Sequence, residues 1–139
     1  MQEITLTLPM LPDMELTASK TACAMGEHIR MSPDKIDEMR MAVVEACINA
    51  FEHSKARDQK VKVIFTILGQ HDDPQGIEIT VRDEGIGFEP DSVAVPEIEE
   101  KLRAPRKRGW GLKIIHGLVD DVQIRSDPKG TTVVMRKMR

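Results

Sequence analysis

The segment Asp83-Glu84-Gly85-Ile86-Gly87 places a carboxylate directly before two closely spaced glycines. It follows Ile77–Arg82, where apolar and polar residues alternate as in a half-buried strand. A carboxylate held at the end of a strand is an acceptor-only group, and the glycines let the backbone turn away without side chains. This arrangement suits a flat ligand with an amino donor, such as adenine. A plain turn is the alternative, because Asp and Gly are common turn residues.

A second polar pair lies in the middle of a predicted helix. Ser32-Pro33-Asp34 is a strong helix start, and the helical pattern continues to about Ser54. Glu45 and Asn49 are four residues apart, so they project from the same face of this helix, one turn from each other. Asn is unfavourable inside a helix, which suggests a role for its side chain. The alternative is an ordinary solvated face.

A third segment, Gly109-Trp110-Gly111-Leu112, leads into a helix predicted from Leu112 to about Val119. Glycines at a helix start leave backbone N–H groups accessible, and such groups can meet phosphate. The segment is not a Walker A loop, because Gly-x4-Gly-Lys-Ser/Thr occurs nowhere in the sequence. It is therefore a candidate phosphate contact of another class.

Composition limits the class of protein. The 139 residues, 40% hydrophobic and 31% charged, predict one soluble globular domain. A net charge of −3, with three Phe, one Trp and no Tyr, argues against a nucleic-acid partner. No apolar run approaches the roughly 20 residues that cross a bilayer, and the N-terminus lacks a signal-peptide core, so we expect a cytoplasmic protein with no membrane partner. Cys23 and Cys47 are expected to be reduced structural thiols, although a disulfide is conceivable.

Periodicity and turn residues predict the elements that hold these groups. Five strands are predicted at Glu3–Leu8, Lys60–Ile67, Ile77–Arg82, Val122–Arg125 and Thr131–Met135, and three helices at Asp13–Arg30, Ser32–Ser54 and Leu112–Val119. A polar hairpin loop is expected from Gly69 to Gly76. The first strand is expected at a sheet edge, where another chain could pair with it.

Apolar spacing also predicts which face of each long helix meets the core. In the first helix these residues are Leu16, Ala22 or Cys23, Met25 or Gly26, and Ile29. In the second they are Ile36, Met39, Val43, Cys47, Ile48 and Phe51. Glu45 and Asn49 are left on the opposite, polar side.

About twenty residues after Glu89-Pro90 lack periodicity until Arg108. A segment of this length without a clear element is typical of a functional lid or of a disordered loop. A short helix around Pro96–Leu102 is predicted within it, and its second half carries a basic run from Arg103 to Arg108.

The order of these segments resembles that of the GHKL ATPase superfamily, which has the Bergerat fold. Glu45–Ala50 with His53 resembles its N box, and Asp83–Gly87 its first glycine box. Gly109–Leu112 resembles the second glycine box, and Gly130-Thr131-Thr132 the last box. Four boxes in order span essentially the whole chain, which makes the resemblance specific. It implies an α+β fold, a two-layer α/β sandwich with a mixed, mostly antiparallel sheet and helices on one face.

The size of the chain selects a branch of this superfamily. A single ATPase module of residues 1–139, with a lid at about 89–108, is similar to the anti-sigma-factor serine-protein kinases of bacterial partner-switching systems. The resemblance implies ATP and Mg²⁺ as cofactors. It also implies phosphorylation of a serine on a STAS-type anti-sigma-factor antagonist, binding of a sigma factor, and a homodimer.

The resemblance further implies a role for each matching residue. Asn49 would hold Mg²⁺, Asp83 would read the adenine amino group, and Glu45 would orient the attacking serine hydroxyl and accept its proton. Thr132, with Thr131 as the alternative, would place a hydroxyl near the base. The other residues implied in ATP binding are His53, Gly85, Gly87, Lys107, Arg108, Gly109, Gly111 and Leu112. For His53, an ordinary hydrogen-bonded position is an equal alternative.

Two other functions are compatible with the same residues. The protein could be a nucleotide-gated module that sequesters a regulator with little catalysis. It could also be a switch kinase that acts on a STAS scaffold with no sigma factor involved. The acidic Glu45 beside Asn49 favours a kinase, because nucleotide binding alone does not require that carboxylate.

Overall fold

A computed structural model describes residues 2–53, 60–83, 110–127 and 130–139. Its elements are β1 (Glu3–Pro9), α1 (Met14–His28), α2 (Pro33–His53), β2 (Lys60–Gln70), β3 (Asp73–Asp83), α3 (Trp110–Leu118), β4 (Asp121–Asp127) and β5 (Gly130–Met138). The five strands form one sheet in the order β1-β2-β3-β5-β4. Every strand pair in the described part of the chain is antiparallel.

Residues along the central strands alternate between two environments over most of their length. Facing positions Val63, Val81 and Val133 lie in one row across three strands and are all buried. Their neighbours Lys62 and Arg82 are exposed, so the helices cover one face of the sheet and the other face meets solvent. This confirms the predicted α+β class with helices on one face.

Helix α2 forms the centre of the helical layer. Its buried side is richer in alanine than predicted: besides Met39 and Val43, the residues Ala42, Ala46 and Ala50 are buried. These small residues let α2 approach its neighbours closely. Its start is as predicted, because the backbone N–H of Lys35 donates to Ser32 Oγ at 3.4 Å.

Two predictions about α1 and the β2–β3 hairpin are wrong. Leu16 is 48% exposed, and Ala18 and Ala22 face the core in its place. The Gly69–Gly76 segment is not a loop, because β2 and β3 pair as far as Gln70 and Asp73. The register shifts after Leu68, where Gly69 has φ +93°, and this bulge keeps polar residues in the ladder.

The first strand lies at a sheet edge, as predicted. Both cysteines are free, and Cys47 is fully buried. No helix among the described ranges is long and apolar enough to cross a bilayer. The predicted short helix at Pro96–Leu102 and the lid at about 89–108 lie outside the described residues.

Candidate functional site

Asp83 ends β3 on the face that the helices cover. It pairs across the sheet with Val61, which is buried in the core, and Asp83 itself is only 4% exposed. Burying a carboxylate is unfavourable, so such a residue usually has a specific function or partner. Among the described acidic residues, Asp83 is the buried one. The sequence prediction of a fixed acceptor at the end of this strand is in accord with this position.

Strand β5 brings Thr131 to the same face as Asp83. Arg82 pairs with Thr132, so Thr132 lies on the solvent face and Thr131 on the helix-covered face. Thr131 also forms a hydroxyl–hydroxyl hydrogen bond of 3.1 Å with Ser126 on β4. The structure therefore places Thr131, and not the preferred Thr132, on the face of Asp83, because a one-residue difference in a strand reverses the face.

A polar stripe runs along α2. Glu38, Glu45 and Asn49 are separated by seven and four residues, a spacing that keeps them on one side of a helix. All three side chains are partly buried, and the Oε2 atom of Glu45 is fully covered. The stripe therefore faces the interior of the protein, whereas the alternative prediction was a solvent-exposed face.

Lys137 shows what this stripe faces. Its ammonium group donates to Glu38 Oε2 at 2.7 Å and to the carbonyl oxygen of Leu118 at 2.6 Å. Lys137 belongs to β5 and is only 6% exposed. The early part of α2, the C-terminal end of α3 and the end of β5 therefore meet at one point. We call these three residues, Glu38, Leu118 and Lys137, the Lys137 clamp.

From the Lys137 clamp, α2 and α3 extend toward the other end of the fold. Glu45 lies seven residues beyond Glu38, and Gly111 lies seven residues before Leu118. Both steps correspond to about 10 Å along a helix axis. Helices α2 and α3 pack against each other and share the contact with Lys137, so we expect the first turn of α3 near the level of Glu45.

Strand β3 leads toward the end of α2, because only six residues separate His53 from Lys60, and the next residue, Val61, pairs with Asp83. Ile77 pairs with Lys137, and Asp83 lies six residues further along β3, a distance of about 20 Å. Asn49 lies eleven residues beyond Glu38, about 16 Å along α2. Asp83, Thr131, Glu45, Asn49 and the first turn of α3 therefore lie at the same end of the fold, between the sheet and the helices.

The electrostatics of this end suit an anionic ligand beside α3. The first turn of a helix has N–H groups without intrahelical partners and a partial positive charge. The first turn of α3 contains no acidic residue that would neutralise this charge. Gly111 and Leu112 lie in this turn, so the predicted helix starts two residues earlier than expected.

The described residues contain no group of three or more His, Cys, Asp or Glu side chains suited to a metal ion. Asn49 offers an amide oxygen beside the carboxylate of Glu45, and oxygen ligands of this kind fit Mg²⁺, which usually takes one or two protein ligands together with phosphate oxygens. The donor chemistry therefore fits the predicted metal.

Cys47 lies on α2 but does not belong to the chemistry. Burial, with a smaller contribution from the charge of Glu15, raises the pKa of its thiol to about 12. A thiol with so high a pKa is neutral and unreactive at ordinary pH. This agrees with the predicted structural role.

Several predicted site residues cannot be compared with the structure. Gly85, Gly87, Lys107, Arg108 and Gly109 lie outside the described residues. His53 is the last residue of α2, at the same end of the helix as Asn49.

Lys137 is not among the residues predicted from the sequence. Its position, two residues after the buried Met135 and four after Val133, predicts the helix-covered face by simple alternation. That signal could have identified it as an inward-facing cation. Its partner Glu38 could not be found in this way, because the contact spans 99 residues of sequence.

Comparisons with known proteins agree with the observed fold. The family model of the histidine kinase-like ATPase domain matches residues 9–137. The chain is 29% identical over 140 residues to the serine-protein kinase RsbW of Bacillus cereus strain Q1, covering 98% of this chain and 84% of that protein. It is 28% identical, with the same coverage, to RsbW of Bacillus mycoides strain KBAB4.

Solved structures show the same fold. The crystal structure of the RsbU and RsbW domains of a Mycobacterium tuberculosis protein matches with a TM-score of 0.70 and 19% identity, over 99% of this chain and 33% of that one. The SiaB–SiaC complex from Pseudomonas aeruginosa matches with a TM-score of 0.57 and 12% identity, over 98% of this chain and 89% of that one. The predicted resemblance is confirmed, and the chain belongs to the family of histidine kinase-like ATPase domains.

Proposed function

We propose that this protein binds ATP between its sheet and helices and transfers the γ-phosphoryl group to a serine of a partner protein. One observation carries the proposal: Glu45 and Asn49 face inward at the level of the first turn of α3, at the end of the fold where Asp83 is buried. Similarity to serine-protein kinases over nearly the whole chain supports it.

In this proposal Asp83 accepts a hydrogen bond from the adenine amino group. Thr131, which shares the face of Asp83 on the neighbouring strand, adds a hydroxyl near the base. The phosphates lie toward the helices, where the first turn of α3 presents N–H groups. Asn49 holds Mg²⁺ through its amide oxygen, and the ion neutralises phosphate charge when bound.

Glu45 acts on the attacking group. Its carboxylate orients the serine hydroxyl of the partner and accepts its proton as the serine oxygen bonds to the γ-phosphorus. The bond between that phosphorus and the β,γ-bridging oxygen breaks, and ADP leaves with the electron pair. Phosphoryl transfer depends mainly on positioning and charge neutralisation, so one carboxylate and one amide on adjacent turns are suitable groups.

The partners follow from the family rather than from a contact in the structure. We propose a STAS-type antagonist as the substrate and a sigma factor as the second partner, in a cytoplasmic partner switch. We also propose a homodimer, which the edge position of β1 permits. Residues 1–139 would form one ATP-binding domain, with a lid at about 89–108.

The test is incubation of the purified protein with γ-labelled ATP, Mg²⁺ and its cognate STAS-type protein. We expect label on a serine of the partner, and loss of that label with Glu45→Ala. Asp37→Ala is the matched control, because Asp37 is an exposed acid of the same helix whose ion pair with Arg40 is 3.4 Å long and contributes little.

The same variant separates the kinase from a nucleotide-gated binding module. If Glu45→Ala still binds ATP and still releases its partner on ATP addition, catalysis is dispensable and the binding module is the correct function. If wild-type protein transfers no label to serine while both proteins are folded, kinase activity toward that partner is refuted.

A further inference from the structure

The Lys137 clamp fastens α3 at the end opposite the candidate site. The ammonium group of Lys137 donates to the Leu118 carbonyl at 2.6 Å, and Leu118 is the last residue of α3. A cation at a helix C-terminus satisfies an otherwise open carbonyl and interacts favourably with the helix dipole. The same ammonium reaches Glu38 at 2.7 Å, so one side chain of β5 holds both helices.

The connection after α3 is fixed to the same strand. The backbone N–H of Asp120 donates to the Arg136 carbonyl at 2.9 Å, and Asp120 Oδ2 accepts from the N–H of Met138 at 2.7 Å. Asp120 and Lys137 therefore fasten the C-terminal end of α3 from both sides.

We infer that Lys137 is a positioning residue for the phosphates of the bound nucleotide, acting through the orientation of α3. This inference rests on the proposed ATP site. Helix α3 has nine residues and is about 13 Å long. A tilt of about 15° about its C-terminal end moves its first turn by about 3.5 Å. Misplacement of a positioning group by about 1 Å can already cost a large factor in rate or binding.

A structural role alone does not explain why this position holds a lysine. Lys137 follows Val133 and Met135 on the core-facing side of β5, where an apolar residue would fill the space without a desolvation cost. Replacing a buried ion pair by apolar residues is often neutral or stabilising. A charged residue here supplies directional bonds to two helices, which an apolar side chain cannot.

The test compares ATP with adenosine. The phosphates would contact α3, whereas the base would contact Asp83 and Thr131, which lie on β3 and β5. Lys137→Met keeps an unbranched side chain, one atom shorter than that of lysine, and removes its donors. We expect the Kd for ATP to rise about 10-fold, while the Kd for adenosine stays within about 2-fold, both measured by calorimetry or by titration of NMR signals.

The matched control is Lys35→Met. Lys35 also donates to a backbone carbonyl at this end of the fold, that of Arg139 at 3.1 Å, but its bond does not involve α3. For Lys35→Met we expect no change in the ratio of the Kd for ATP to the Kd for adenosine. A second variant, Lys137→Met with Glu38→Leu, removes both charges of the ion pair, so no partly buried carboxylate is left without its cation and the protein should fold even if the single variant does not.

The outcomes separate the inference from the proposed function. If wild-type protein binds ATP and both clamp variants keep the wild-type ratio of ATP to adenosine affinity, the inference is overturned and the ATP site stands. A folded clamp variant that loses affinity for ATP and for adenosine by the same factor also overturns the inference. Wild-type protein that binds no ATP would overturn the proposed function and the inference together.

Discussion

Replacing Asp83 by Asn tests the proposed adenine contact most directly. Asn has nearly the same shape as Asp, so the substitution changes charge and hydrogen-bonding capacity with little effect on packing. An aspartate carboxylate can accept hydrogen bonds at both oxygens, whereas Asn offers one acceptor and one donor group. An amide can still turn its oxygen toward the adenine amino group, but it lacks the negative charge that strengthens the bond.

The size of the effect follows from burial. A hydrogen bond to a charged group contributes about 1–3 kcal/mol, which corresponds to about 5- to 150-fold in Kd. Asp83 is only 4% exposed, so water cannot replace the lost interaction. We therefore expect the upper half of that range, about 30- to 150-fold weaker ATP binding.

Calorimetric titration with ATP and with GTP measures this change. Guanine has a carbonyl oxygen where adenine has its amino group, so the amide introduced by Asp83→Asn could donate to it. The variant should therefore lose affinity for ATP and narrow its preference for ATP over GTP. Asp73→Asn, at the exposed opposite end of β3, is the control and should leave both affinities unchanged. Thermal unfolding of each variant checks that the fold is intact.

A folded Asp83→Asn protein that binds ATP as tightly as the wild type would refute the proposed contact between Asp83 and adenine. In that case the buried carboxylate has a structural role, and the base lies elsewhere. A loss of ATP affinity with no change in the preference over GTP would place Asp83 near the nucleotide but away from the amino group of the base.

Four further results are expected. Glu45→Ala should lower the rate of phosphoryl transfer by about 10²- to 10⁴-fold while the Kd for ATP, measured in the same buffer, changes little. Thr131→Val should weaken ATP binding by about 5-fold, the effect of about 1 kcal/mol, whereas Thr132→Val, on the other face of β5, should not. In native protein iodoacetamide should modify Cys23 and leave Cys47 unmodified at pH 8, as read by mass spectrometry. Because the pKa of Cys47 is raised from 9.0 to about 12 in the folded state, folding favours its protonated form. The contribution of the Cys47 thiol to the free energy of unfolding is therefore complete below about pH 9 and is lost as the pH rises from 9 to 12. Equal free energies of unfolding at pH 8 and pH 11 would contradict this.

Local sequence signals predicted most of the elements. The Ser32–Pro33 start of α2 and the alternation in β2 and β3 were correct, because capping, proline geometry and the two-residue period of strands act over a few residues. The prediction of a loop at Gly69–Gly76 was wrong because such local signals do not include the pairing of strands. Glycine and proline there suggested a loop, but pairing between β2 and β3 accommodates them through a bulge.

The site was predicted only in part. Asp83, Glu45 and Asn49 were identified from residue type and spacing, and the structure places them at the same end of the fold. The choice between Thr131 and Thr132 depended on which residue pairs with Arg82. Register of that kind is a property of two strands far apart in sequence, so no local pattern reveals it.

The sequence by itself determined the chemistry available to this protein: an acceptor at the end of a strand, an acid and an amide one helical turn apart, and glycines at the start of a helix. Only the tertiary structure decided how the elements that carry these groups are joined, for example through the buried ammonium of Lys137, which joins β5 to α2 and α3. The physical reason is the separation in sequence over which each interaction acts. Side-chain type and helical period are local, whereas a contact between Glu38 and Lys137 exists only after the sheet and the helices have packed together.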